Sequence, residues 1–384
     1  MYERKSRGLL SLLLKRISSI GDTYEQHKDN LDYKSFLEIQ LELIKRIIKT
    51  ERRISKLRNE RPKPLNKIKE AKERRSLLKL LGTTIAWILL EFDRPYIRTF
   101  ATGHDPGFIY GKKGLKLELL ALKSAFEYEN HAAILHDITN CLRIGDLSII
   151  GPQGILTLEL KLRKEKRKMD RRERRQKRKA EIIREFYDKG ISTKIISGWK
   201  IVRHLSKKRD KHNWSEICAV IEEAIKNGYG IRIVDKCLIY FAFKNEILGD
   251  VLSRYIKLFR DPYFMFGCLD RHIVGLPSIM PFTCFEIPFQ HKEKLFFKEV
   301  NLCVILDINS LSRILEENGF HCKILKNSDK GVLEIFDIGK RKSEPIIIGY
   351  GLINRLLYEC LSVKTFVDYA KEVSEKFMKE EILK

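Results

Sequence analysis

The sequence predicts a mixed protein of the α+β or α/β class. A helical region is expected over residues 1–90, a mixed-sheet core over 91–190 and an α+β domain over 191–384. Three observations predict it. Leu37, Leu41, Ile44 and Ile48 step by four, three and four residues, which draws one apolar stripe along a helix. The run Ile155-Leu-Thr-Leu-Glu-Leu-Lys-Leu alternates apolar and other residues with the period of a strand. Beyond residue 191, short apolar runs alternate with amphipathic segments.

In chain order, the first helix runs on through Glu60 until Pro62 and Pro64 break it. A second, from Asn66 through Leu81, completes a helical hairpin. Its apolar stripe can pack on the next domain or on a second copy of the chain, so a homo-oligomer through these helices is an expectation. Residues 91–115 are irregular, with Gly103, Pro106, Gly107, Gly111 and Gly114. A helix from Leu115 to Tyr128 puts Leu115, Leu119, Leu122 and Phe126 on one face. Ala132-Ala-Ile-Leu and Leu147-Ser-Ile-Ile read as strands, followed by the alternating strand from Ile155. That strand places Leu156, Leu158, Leu160 and Leu162 on an expected core face, with Thr157, Glu159 and Lys161 on the other. A strongly basic helix from Arg163 to Tyr187 follows, ended by Gly190. Further on, helices are expected from Ser215 to Asn227, from Ser310 to Asn318 and from Val363 to the end. Strands are expected within Ile231 to Phe243, at Leu302 to Leu306, at Gly331 to Phe336 and at Ile346 to Ile348.

Composition narrows the partners. The 384 residues hold 75 Lys and Arg against 51 Asp and Glu, a net charge of +24. About three quarters of that excess falls within residues 1–190. Such a field attracts polyanions and points to nucleic acid. The eight cysteines are dispersed and form no C-x-x-C pair, which argues against a zinc ribbon or finger. Most lie in apolar runs and read as buried, reduced thiols of a cytoplasmic protein. Gly8-Leu-Leu-Ser-Leu-Leu-Leu runs directly into Lys15-Arg16 without a small-residue cleavage site, so no export signal is expected. The apolar run from Leu80 to Leu90 is too short to span a bilayer, and no membrane partner is expected.

The candidate chemistry centres on Asp146, which begins one strand, and on Glu159 and Lys161 of the next. If those strands pair, the two carboxylates converge at one end of the sheet. Hard oxygen ligands there suit Mg²⁺ or Mn²⁺. Lys161 beside them can orient the attacking water and offset phosphate charge.

Asp146, a gap, then Glu159-x-Lys161 on a strand resembles the PD-(D/E)xK nuclease superfamily, whose fold is that of the restriction endonucleases. The resemblance covers about residues 105–190. It implies a restriction-endonuclease-like mixed-sheet core, with elements in the order helix, strands, Glu-x-Lys strand, helix. It implies a metal held by Asp146 and Glu159, with Lys161 catalytic. It further implies a helix-borne acid, for which Glu118 fits better than Glu127 or Glu129, and a Gln facing the site, here Gln176. Gly145 stands before Asp146, where a Pro is common in the family. The function implied is metal-dependent phosphodiester hydrolysis, on DNA rather than RNA, with defence or restriction as a role by analogy.

The basic helix leaves the sheet just after Lys161. Residues 163–179 hold twelve Lys and Arg against three acids. Arg163, Lys164, Lys166, Arg167, Lys168, Arg171, Arg172, Arg174 and Arg175 are the expected nucleic-acid contacts. Aromatics are absent from 163–185, so contact to the phosphate backbone is expected rather than base stacking. The alternative is a non-catalytic nucleic-acid-binding or scaffold protein using the same basic surface. Other motifs fall short. Gly107-Phe-Ile-Tyr-Gly-Lys-Lys is one residue short of a P-loop and lacks its Ser/Thr. His104-Asp105 and His136-Asp137 lack the further residues of an HD phosphohydrolase. Lone histidines such as His291 read as ordinary surface or core residues.

Overall fold

The structure is a computed structural model. It describes residues 2–23, 33–101, 107–127, 131–151, 154–160, 174, 177–178, 181–182, 185, 189, 191–192, 201–202, 210–244, 249–269, 276, 278–326, 328, 331–337 and 345–382. The fold is mixed α and β, and the chain divides into two compact units. The first comprises Met1–Leu205 and Arg271–Cys284, the second Ser206–Asp270 and Phe285–Lys384.

The first unit opens with three long helices, α1 (Tyr2–Thr23), α2 (Tyr33–Asn59) and α3 (Leu65–Leu89). The buried apolar residues of α2 are Phe36, Leu37, Ile39, Leu43, Ile44, Ile47, Ile54 and Leu57. The expected stripe is met in part: Leu37 and Ile44 are buried, whereas Leu41 and Ile48 are only half-buried. The charged residues on α2 leave two adjacent apolar rows, and packing against α3 and the sheet selects the row nearer Ile39 and Leu43. Helix α3 runs to Leu89, beyond the expected end near Leu81. Every residue from Leu77 to Leu89 is buried, because α1, α2 and the sheet surround this half of the helix. Such a helix carries no polar face to mark its period.

After α4 (Arg94–Phe100) and α5 (Leu115–Glu127) come β1 (Ala132–Leu135), a 3₁₀ turn over His136–Ile138, β2 (Leu147–Gly151) and β3 (Gly154–Leu158). The sheet order is β1-β2-β3, and both pairs are antiparallel. Among the described residues this sheet is therefore antiparallel, not mixed. Gly151 pairs with Gly154, so β2 turns straight back into β3, a connection that only antiparallel strands allow.

Helix α2 satisfies the outer edge of β1. Gln40, fully buried, donates through Nε2 to Ala133 O over 2.8 Å and accepts through Oε1 from Leu135 N–H at 3.1 Å. One amide thus stands in for a neighbouring strand. Each backbone group left unpaired there would cost about 1–3 kcal/mol. On the opposite side, Gly82 of α3 lies against the 3₁₀ turn. A Cβ at Gly82 would stand 2.1 Å from Ile138 O, so only glycine permits this approach. The leucine face of β3 departs from expectation: Leu156 is 53% exposed, and Leu158 and Leu160 are half-buried. β3 is the edge strand, and helices α2, α3 and α5 pack chiefly on β1. Two further short strands, β4 (Ile191–Ser192) and β5 (Ile201–Val202), pair with each other.

The second unit holds two antiparallel sheets. One has the order β6-β7-β9-β8, from β6 (Tyr229–Val234), β7 (Leu238–Phe243), β8 (Phe264–Cys268) and β9 (Asn301–Asp307). The other is β10-β11-β12, from β10 (Phe320–Ile324), β11 (Leu333–Asp337) and β12 (Ile346–Ile348). Helices α6 (Trp214–Asn227), α7 (Gly249–Ile256), α8 (Phe289–Phe296), α9 (Ile308–Glu317), α10 (Tyr350–Tyr358) and α11 (Val363–Ile382) complete it. The strand-like run from Ile231 to Phe243 is split into a hairpin at Asp235 and Lys236. Both have positive φ (51° and 60°), the left-handed pair whose twist suits a tight hairpin. Ile239, Phe241 and Ile305 form the centre of a core beneath this sheet. Among the described residues, no helix is long and apolar enough to cross a membrane. None of the eight cysteines is disulfide-bonded; Cys141, Cys237 and Cys360 are buried, whereas Cys268 is exposed.

Candidate active site

The central strand β2 extends backwards by one residue to Asp146. Its N–H donates to Leu158 O over 2.8 Å, and its carbonyl accepts from His136 N–H at 3.0 Å. Asp146 is thereby held between the ends of β1 and β3. The register pairs Leu147 with Leu158 and Ser148 with Thr157. The ladder ends at Leu158: Asp146 bonds to the Leu158 carbonyl, and Glu159 lies one residue beyond the strand. Cross-strand partners share a face, so Ser148 and Thr157 belong to the same side of the sheet.

Gly145 makes this geometry accessible. Its φ is +79°, and a Cβ there would meet Thr157 Cγ2 at 2.7 Å and Leu158 O at 3.0 Å. A glycine before Asp146 thus has a local cause, because the chain turns left-handed against β3 immediately before the acid. Beneath the acid, His136 Nε2 pairs with Ser148 Oγ at 2.8 Å, and Ser148 Oγ with Thr157 Oγ1 at 3.1 Å. Burial lowers the His136 pKa to about 4, so the ring is neutral at physiological pH.

Three carboxylates meet around one ammonium. Lys112 Nζ lies 2.9 Å from Glu118 Oε1, 2.7 Å from Asp137 Oδ2 and 3.0 Å from Asp146 Oδ1. Burial opposes the charge on Lys112 but is outweighed, first by Asp137, and the ammonium is held above the ordinary lysine range. Burial pushes the Glu118 carboxyl up, against the pull of Lys112. Glu118 is 1% exposed, and its Oε2 is buried without a hydrogen-bond partner. The second oxygen of Asp146, Oδ2, accepts from Leu160 N–H at 2.9 Å.

Lys112 is delivered by an anchored turn. Fully buried Glu51 accepts from Tyr110 N–H at 2.9 Å and pairs with Arg75 Nε. Arg75 donates through Nη2 to Gly107 O over 2.8 Å, and its guanidinium lies over the Phe108 ring. Ile109 is buried, and Lys112 N–H closes the turn on Ile109 O, with Gly111 at φ +84°.

The expected site residues divide accordingly. The structure brings Asp146 and Glu118 together at the cluster and leaves Glu159 just beyond the end of β3. Glu159 itself is exposed, as is Glu127. Lys161 and Gln176 lie outside the described residues, as do Arg163, Lys164, Lys166, Arg167, Lys168, Arg171, Arg172 and Arg175. Arg174, Lys177 and Arg178 are helical and exposed. Sequence reasoning missed Lys112 and Asp137, which come from the P-loop-like and HD stretches. The signal was present in each, but as a lone charged residue in a failed motif.

Among the described residues, no three His, Cys, Asp or Glu side chains gather closely enough to hold a metal ion as they stand. The donor chemistry nevertheless suits a hard divalent cation: carboxylate oxygens, one of them buried without a partner, around a position already held by positive charge. No protein-family model, no curated protein and no solved structure matches this chain.

Proposed function

We propose that this chain is a metal-dependent nuclease that hydrolyses phosphodiester bonds, on DNA in preference to RNA. Its catalytic part would be a restriction-endonuclease-like core built from α5 and β1 to β3. The observation that carries the reading is the cluster in which Asp146, buried Glu118 and Asp137 gather around Lys112 at the end of the sheet. Asp146, Glu118 and Asp137, with Glu159, would hold Mg²⁺ or Mn²⁺. Such an ion supplies a Lewis acid for a phosphoryl oxygen and makes bound water acidic enough to attack.

The chain's own groups have separate tasks. The Leu160 N–H orients the Asp146 carboxylate, leaving Oδ1 to the cluster. Lys161, two residues beyond Glu159 in the sequence, would position the water and take up phosphate charge. Neutral His136 supports the sheet from below through Ser148 and Thr157. The basic stretch after β3 would lie along the phosphate backbone, where contacts add affinity but no sequence information. A defence or restriction role rests on analogy of fold alone.

The second reading, binding without hydrolysis, is favoured by one fact: Lys112 already neutralises part of the carboxylate cluster. Purified protein incubated with plasmid, linear DNA and RNA, with Mg²⁺ or Mn²⁺ and with EDTA, separates the two. The nuclease reading expects metal-dependent cleavage that EDTA stops. Retardation of the nucleic acid without cleavage in any metal would leave the binding reading.

A further inference from the structure

We infer that Lys112 is an internal competitor for the divalent cation, seated where the ion would bind and displaced by it. The inference rests on the nuclease reading and adds a device that sets metal affinity. The ammonium is within 3.0 Å of oxygens from Glu118, Asp137 and Asp146, on α5, the 3₁₀ turn and the end of β2. These are N–H···O separations. A bound Mg²⁺ or Mn²⁺ draws oxygens in to roughly 2.0–2.2 Å, so ammonium and ion cannot share the seat.

The second observation is Glu118 Oε2, buried and without a hydrogen-bond partner in a residue 1% exposed. An ammonium has only three donors. Here the three nearest acceptors are Glu118 Oε1, Asp137 Oδ2 and Asp146 Oδ1, and the remaining Glu118 oxygen is left over. A divalent ion can take a carboxylate through both oxygens. The seat is thus better supplied with oxygen than its lysine can use. Displacement requires only side-chain rotation, because Glu51, Arg75 and Ile109 hold the backbone of the turn.

The test uses the full chain stripped with EDTA and Mn²⁺ binding by calorimetry, in wild type and Lys112→Met. If the lysine fills the seat nine times in ten, removing it tightens Mn²⁺ binding by about tenfold. A lysine that merely shaped the site would do the opposite. Equal or weaker binding by Lys112→Met overturns this inference and leaves the nuclease reading intact. Absence of Mn²⁺ binding in both proteins overturns both. A second measurement needs no variant: amine acylation of the wild type, read at Lys112 by peptide mass mapping. Saturating Mn²⁺ should increase labelling at Lys112 several-fold, and unchanged labelling would contradict displacement.

Discussion

The Leu160 N–H donates to Oδ2 of Asp146 over 2.9 Å and so ties the end of β3 to the start of β2. Because Leu160 lies between Glu159 and Lys161, this bond fixes the segment that would carry two of the three catalytic side chains. Its other end fixes the third. The same carboxylate reaches Lys112 through Oδ1, so one aspartate joins the strand ends to the cation seat.

Gly145→Ala should destabilise the first unit and disturb Asp146 together. An alanine would be held at φ +79° with its Cβ 2.7 Å from Thr157 Cγ2. Strain of this kind costs on the order of 1–3 kcal/mol. Denaturant titration should show a lower midpoint for the variant. An unchanged midpoint would mean that the chain does not turn left-handed here.

Stability of the metal-free protein should fall as pH drops from about 6.5 toward about 4. Unfolded histidine takes up its proton near pH 6.5, whereas buried His136 does so only near 4. Between those values the unfolded state binds more protons, and linkage favours unfolding by up to about 3 kcal/mol. Above pH 6.5 this contribution is flat. Thermal melts in EDTA across the window, compared with His136→Gln, would show it; the same slope in both proteins would remove His136 as the cause.

Salt should weaken nucleic-acid binding steeply, by about 0.9 in log K per log salt for each phosphate neutralised on duplex DNA. Arg174, Lys177 and Arg178 are exposed and spaced three and four apart, which places them on one helix face. Changing all three to Gln should flatten the slope by about two to three and weaken every sequence alike. A slope identical to wild type would assign this face to solvent.

The strands at 132–135 and 147–151 and the helix from Leu115 are legible in the sequence, because each depends on short-range period. Glu118 could be placed on its helix, although its burial could not. Lys112 and Asp137 were illegible for a physical reason. Lys112 lies 34 residues before Asp146 and 25 before Asp137, and what unites them is the turn pinned by Glu51 and Arg75 from two other helices. No local pattern encodes that. The end of α3 was missed because a helix buried on all sides shows no periodicity, and the α2 stripe holds only at Leu37 and Ile44 because its charged residues leave two apolar rows to choose from.

Cleavage by Asp146→Asn, Glu159→Gln and Lys161→Ala, beside wild type, tests the central claim most directly. The substrates are plasmid and linear DNA with Mn²⁺, with DNA binding measured in EDTA for each protein. The prediction is metal-dependent cutting by the wild type and a loss of at least about a hundredfold in each variant, the upper end of what removing a supporting group around a metal costs. Each variant should fold, and Lys161→Ala should bind DNA nearly as the wild type does, since one lysine among many basic residues carries little of a backbone affinity. Absence of cutting by the wild type under all conditions, or variants that cut as fast as it does, would contradict the account.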